Sequence, residues 1–311
     1  MLATLKKILT KADKGRYAVG AFNVNNLEIL QAVIETAVEM RSPVIVQTSE
    51  GAIEYAGMEY LVAMMRVAAK SPVPVVMHLD HGKDLTVIKK AIAAGYSSVM
   101  FDGSLFPYAE NVAKTKKVVA WARAKGASVE AEIGAIKGVE DLVSVSEKEA
   151  FFTDPDEAAR FAKATRCDAL AISIGTAHGA YKSKTAPQLD IARLKKIDTL
   201  VKIPLVLHGA SGISPELVAK TKNYCDTLGD CNRLEGANGI PDEQIAAAIR
   251  AGIRKINIDS DIRIAFTAGL RETVVTDHKA IDPRKLLSLS KKLIKEVVRH
   301  KMELFGSAGK A

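Results

Sequence analysis

The pentapeptide His78-Leu79-Asp80-His81-Gly82 sets two imidazoles and a carboxylate where the apolar run Pro74-Val75-Val76-Met77 opens into a loop. Alternate side chains of a strand share a face, so His78 points with Asp80 and Leu79 points away. His81 sits where the strand ends and is free to turn over the sheet edge. The chemistry on offer is a metal ligand beside a proton-transfer group. Two more histidines, His178 and His208, likewise follow apolar runs. Three imidazoles at one mouth would leave an open coordination position, the arrangement of catalytic zinc. A lone histidine on a strand is more often a hydrogen-bonded core residue; three together shift the balance to metal. His78 lies within its strand and is read as a supporting or packing residue, not a fourth ligand.

These residues need elements to carry them. Apolar patterning gives strands at 17–22, 44–46, 74–77, 97–102, 128–133, 168–174, 204–208 and 253–258. Between them, helical spacing covers 27–40, 58–69, 85–94, 112–125, 155–164, 191–201 and 243–251. Eight short apolar strands alternating with helices over 311 residues indicate an α/β fold, a (β/α)8 TIM barrel, with an open doubly wound sheet as the alternative. Residues 1–311 are read as one domain, with an extra C-terminal helix over 283–304 outside the barrel or against another subunit. The connections 134–153 and 220–240 exceed the usual short loop and are expected to be mobile, the second as a surface insertion.

A barrel demands that its chemistry sit at the carboxyl ends of the strands. The chain meets that demand repeatedly. Asp80 and His81 follow strand three, Asp102 ends strand four, Glu130 and Glu132 end strand five, and His178 follows strand six. His208 ends strand seven, and Asn257 with Asp259 ends strand eight. The segments His208-Gly209-Ala210-Ser211-Gly212 and Asn257-Ile258-Asp259-Ser260 follow the two strands after which barrels commonly bind phosphate through backbone N–H groups. Residue chemistry alone therefore points to a metal-dependent enzyme acting on a phosphorylated small molecule.

Composition removes other classes. With 48% apolar and 26% charged residues the chain is globular rather than disordered. The net charge of +8 permits nucleic-acid binding but equally suits an anionic small substrate. Lys291, Lys292, Lys295 and Arg299 lie at helical spacing, as a solvated face would, and aromatics are only 5% of the chain, which argues against base stacking. No secretory signal or bilayer-length apolar run is visible, so no membrane role and a cytoplasmic location are expected. The three cysteines lack the close pairing of a zinc knuckle.

Six ordered motifs also carry a likeness: Gly20-Ala21-Phe22-Asn23-Val24-Asn25-Asn26, His78-Leu79-Asp80-His81-Gly82, Glu130-Ala131-Glu132-Ile133-Gly134, Gly175-Thr176-Ala177-His178-Gly179, His208-Gly209-Ala210-Ser211 and Asn257-Ile258-Asp259-Ser260. From about residue 5 to residue 306 the chain resembles the class II, zinc-dependent fructose-bisphosphate aldolases. The resemblance implies reversible cleavage of fructose 1,6-bisphosphate to dihydroxyacetone phosphate and glyceraldehyde 3-phosphate, in glycolysis and gluconeogenesis. By it, His81, His178 and His208 match the Zn2+ ligands and Asp80 the acid/base at the C4 hydroxyl. Glu140 matches a loop carboxylate that exchanges a proton with dihydroxyacetone phosphate. Asn23, Ser49, Gly179, Gly209, Ala210, Ser211, Asn257, Ile258, Asp259 and Ser260 match substrate and phosphate contacts, and Arg284 an arginine reaching the distal phosphate from a neighbouring subunit of a homodimer or homotetramer.

The resemblance further implies a monovalent cation, Na+ or K+, held by carbonyls near Gly179 and Gly209, and an alternative metal position at Asp102 and Glu132, which otherwise serve structure. Asp102-Gly103-Ser104-Leu105-Phe106 departs from the pattern, since many relatives carry a histidine after the serine. The nearest competing reading is a tagatose-bisphosphate aldolase. A non-catalytic sugar-phosphate-binding barrel is more distant, because it has no need of Asp80 or Glu140. A class I enzyme needs a barrel lysine, and Lys255 on strand eight is expected to face outward toward a helix.

Overall fold

The computed structural model describes residues 1–140, 143–145, 151–178, 188–228 and 239–311, the side chains of 137–140, 143–145, 177–178 and 225–226 excepted. The strands are β1 (Val19–Asn23), β2 (Val44–Thr48), β3 (Val75–Gly82), β4 (Ser98–Phe101), β5 (Ser128–Ile133), β6 (Lys137–Glu140), β7 (Val143–Val145), β8 (Ala169–Ile172), β9 (Ala177–His178), β10 (Leu205–Leu207) and β11 (Ile253–Ile258). Eight of them close into a barrel in the order β1-β11-β10-β8-β5-β4-β3-β2, every pair parallel. This is the TIM barrel that the alternation of strands and helices implies. Among the described residues no helix is long and apolar enough to cross a membrane.

Alternation along the strands divides the protein into two cores. Outward residues such as Phe22, Val46, Leu79, Leu170 and Ile258 pack against the helices in one large cluster. Inward residues Val19, Ala21, Ile45, Val76, Met100, Ala169, Ala171 and Val206 form a second cluster inside the barrel. That inner cluster is closed from the amino-terminal end by the helix Leu5–Gly15, whose Leu5, Ile8, Leu9 and Ala12 join it. Spacing of three, four and seven residues puts these side chains on one face, and Thr4 Oγ1 caps the helix by accepting from Lys7 N. Each fully buried leucine there contributes about 1.5–3 kcal/mol of burial free energy.

Several helices have no counterpart among the expected elements: Leu5–Gly15, Glu50–Ala56, Pro215–Lys222 and Ser260–Thr276. The extra C-terminal helix is present as Pro283–Leu304. It lies against Ser260–Thr276 and Leu27–Glu39, and Gly269 permits the close approach, since a Cβ there would collide with the backbone of Ser290. The connection 134–153 lies partly outside the described residues. Its described part holds β6 and β7, which pair with β9 in a three-stranded sheet of order β7-β6-β9. In 220–240, residues 229–238 lie outside the described residues, and a short helix, Cys225–Leu228, precedes them.

Candidate active site

A regular strand would turn Asp80 and His81 to opposite faces. β3 avoids this with a register shift against β4 between Leu79 and Gly82 and a positive φ of 45° at His81. Both side chains therefore reach the barrel mouth. Asp80 is only 1% exposed and is held by three carboxamides. Asn23 Nδ2 and Gln47 Nε2 donate to its Oδ2 at 3.1 Å each, and Asn257 Nδ2 donates to its Oδ1 at 3.0 Å. These donors come from β1, β2 and β11, so the plane of the carboxylate is set by barrel closure itself.

Beside it, His81 Nε2 and His208 Nδ1 face each other 2.8 Å apart. The outer nitrogen of each ring is tied to a carboxylate: His81 Nδ1 to Asp102 Oδ2 at 3.0 Å and His208 Nε2 to Glu130 Oε1 at 2.7 Å. Two imidazoles with their remaining nitrogens converging and their far nitrogens on carboxylates are the donor set of a metal centre. Ligand atoms of Asp80, His81 and His208 lie within 4.8 Å of one another, as do those of His81, Asp102 and Glu132. The residues therefore fit a divalent metal that prefers nitrogen ligands, such as zinc.

Charges in this layer are strongly perturbed. Burial pushes the His81 imidazole down, but Asp80 and Asp102 outweigh burial and raise it to about 10. Burial would raise Asp102, yet the His81 hydrogen bond holds it below the usual carboxylate range. Glu132 moves the other way: burial and then the Asp102 charge raise it well above its ordinary value. Glu130 would also be raised by burial, but Lys255 and His208 hold it low. His78 is lowered to about 3 by burial and then by the Lys255 charge, and its Nδ1 lies 2.8 Å from Ser98 Oγ. His208 is lowered by burial and by the charge of His81.

The expectation that Lys255 faces outward is wrong. Arg254 takes the outward position and bonds Asp13 Oδ1 at 2.7 Å, so alternation sends Lys255 inward. It is 0% exposed, and its Nζ lies 2.8 Å from Glu130 Oε2. An ammonium paired to a carboxylate is not a nucleophile. The side chain of Ile258 packs in the helix-facing core. Ala210 is buried in that core too, which leaves backbone contacts for both.

Other expected site residues are spread more widely. Ser49 Oγ caps the helix Glu50–Ala56 by accepting from Ala52 N. Asp259 pairs with Arg263, Nε to Oδ1 2.9 Å, and Ser260 opens the following helix. Ser104 donates to Asp102 Oδ1 at 2.7 Å, so the loop that departs from the family pattern supports Asp102 instead of supplying a ligand. Arg284 is 90% exposed, and its guanidinium bonds Asp282. The side chains of Glu140 and His178, and the whole of Gly179, lie outside the described residues. The strands of the first two are paired nonetheless: β6, which Glu140 ends, pairs with β9 through Gly138 and His178.

Gln47 is a site residue that the sequence did not announce, and Glu130, already placed at a strand end, gave no sign of its partners His208 and Lys255. A polar residue ending the run Val44-Ile45-Val46 was the available signal for Gln47. For Glu130 it was inward parity with Glu132.

Known proteins resemble this chain along its length. The family model described as fructose-bisphosphate aldolase class-II matches residues 3–226 and 232–310. The chain is 47% identical to a fructose-bisphosphate aldolase of Thermus caldophilus over 311 residues, covering 100% of both chains. It is 43% identical to one from Giardia intestinalis over 314 residues, with 100% of this chain and 94% of that protein covered. Among solved structures, the YdjI aldolase from Escherichia coli K12 superposes with a TM-score of 0.79 at 35% identity, covering 100% of both chains.

Proposed function

We propose that this chain, which belongs to the class-II fructose-bisphosphate aldolase family, reversibly cleaves fructose 1,6-bisphosphate to dihydroxyacetone phosphate and glyceraldehyde 3-phosphate. The observation that carries the reading is the pair of converging nitrogens, His81 Nε2 and His208 Nδ1, next to a carboxylate fixed by three carboxamides. His81, His208 and, by the family resemblance, His178 hold the metal. Zinc, when bound, supplies a Lewis acid for the ketone oxygen and for the charge left on the three-carbon fragment when the carbon–carbon bond breaks.

The chain's own groups do the rest. Asp80 removes the proton of the C4 hydroxyl during cleavage and returns it in condensation, and its fixed plane keeps it aimed at that oxygen. Glu140 delivers a proton to the departing three-carbon fragment. Asn257 and Asn23 lie against Asp80 and orient the sugar backbone, and the buried Asn257 Oδ1 and Gln47 Oε1, which have no donor among the described residues, accept substrate hydroxyls. Gly209, Ser211, Asp259 and Ser260 bind one phosphate through backbone and side-chain donors. Gly179 joins them, with Na+ or K+ beside it. Arg284 takes the distal phosphate of a neighbouring copy in a homo-oligomer, and its 90% exposure suits a residue that works in trans. The protein works in the cytoplasm.

The deciding experiment compares cleavage of fructose 1,6-bisphosphate with tagatose 1,6-bisphosphate, before and after EDTA and with zinc restored. Chelator-sensitive activity favouring fructose is expected. Preference for tagatose changes the substrate and keeps the mechanism, while full activity with metal verified absent rejects the metal. Borohydride with substrate should leave no adduct on Lys255.

A further inference from the structure

We propose that Lys301, on the C-terminal helix and outside the eight β/α units, is a positioning residue for the phosphate-contacting loop 209–213. The inference rests on the reading of Gly209 and Ser211 as phosphate contacts. The buried face of the helix Pro283–Leu304 is Ser290, Leu293, Ile294, Val297, Val298, Lys301 and Met302. Lysine thus occupies a place in the core stripe and is 4% exposed. A buried ammonium is costly unless anionic groups surround it, and the charges it meets belong to the loop's supports.

Lys301 Nζ lies 3.7 Å from Asp261 Oδ1 and 4.0 Å from Asp242 Oδ1. Asp261, 2% exposed, uses its other oxygen, Oδ2, to accept from Gly212 N at 3.1 Å. The ammonium also lies close over the loop, because a Cβ at Gly212 would collide with Lys301 Nζ. Ile240 N donates to Ser211 O at 3.1 Å, and Gly239 abuts the backbone of Gly212.

The loop needs such support. Ile213 has φ +36° and Gly209 has φ +59°. A β-branched residue in the left-handed region is strained by about 1–3 kcal/mol and persists only where its surroundings over-determine it. Lys301 fixes Asp261, Asp261 fixes the Gly212 N–H, and Gly212 fixes the neighbouring Ser211. Phosphate then meets donors that are already in place, which lowers the ordering cost of binding.

The test is Lys301→Met in the full-length zinc enzyme, read by KM for fructose 1,6-bisphosphate, by inhibition with inorganic phosphate and by kcat. KM and the phosphate inhibition constant should both rise about tenfold, with kcat and zinc content little changed and partial recovery in Lys301→Arg. A folded Lys301→Met enzyme with unchanged KM and phosphate inhibition, or with only kcat reduced, overturns the proposal. Ser211→Ala separates the two readings. If it weakens phosphate while Lys301→Met does not, Lys301 has no positioning role and the phosphate site stands; if neither variant matters, the phosphate reading fails and takes this one with it. Should Lys301→Met not fold, Asp261→Asn is measured in its place, with the same rises in KM and phosphate inhibition constant expected and their absence overturning the proposal.

Discussion

The two ends of the barrel interior are built from the same strands and have opposite chemistry. Toward the amino-terminal end the inward side chains include Val19, Ile45, Val76, Met100 and Val206, sealed by the helix Leu5–Gly15, and the buried Lys255–Glu130 pair level with them is the one charged intrusion among these residues. At the carboxyl end the same strands carry or lead into Asn23, Gln47, Asp80, Asp102 and His208, and all five of these polar groups are also buried. A few residues along each strand separate dispersion and hydrophobic burial from a network whose members must all find partners. Stability is concentrated below and reactivity above, so substitutions at the two ends should fail in different ways.

The sharpest break should come from Asp80→Ala. Turnover should drop by roughly 10²–10⁴, the range for an acid–base group, with zinc content and melting temperature nearly unchanged. Loss of zinc by elemental analysis would instead assign Asp80 to the metal. Leu9→Ala at the opposite end should reverse that pattern, costing about 2–5 kcal/mol in urea unfolding while kcat/KM of the folded enzyme at 25 °C stays within about twofold. A large activity loss without destabilisation would show that the two ends are coupled.

Gln47→Leu probes the boundary. It removes one donor to Asp80, and kcat should fall about 10–100-fold, as for a hydrogen bond to a charged group worth about 1.5–3 kcal/mol. Unchanged kcat would mean that Asn23 and Asn257 suffice. The last probe concerns pH in the metal-stripped protein. His81 is raised above its unfolded value of 6.5 to about 10, so its protonated form stabilises the fold fully below pH 6.5, and that contribution is lost as pH rises through about 10. The stability difference between the stripped wild type and His81→Gln should shrink over that window. A pH-independent difference would contradict the raised imidazole.

Much of this was readable along the chain. Short apolar runs and helical spacing alternate locally, so the eight β/α units and the placement of Asp80, His81 and His208 at strand ends follow from local pattern. The helix Leu5–Gly15 carries equally clear spacing at Leu5, Ile8, Leu9 and Ala12, but its role as the barrel's plug depends on closure. Ser260–Thr276 begins within a motif that reads as phosphate contacts, which hides its helical start.

By itself the sequence determined the barrel, its C-terminal helix and which polar groups stand at the strand ends, because strand and helix periods and residue chemistry are local properties. Tertiary structure alone decided which groups meet. Asn23, Gln47 and Asn257 stand 57, 33 and 177 residues from the Asp80 they hold, and His208 stands 127 from His81. Lys255 shows the limit most plainly: its inward turn depends on the phase of β11, and its partner Glu130 lies across the barrel on β5. Strand order and register set those encounters, and neither is written in any one segment of the chain.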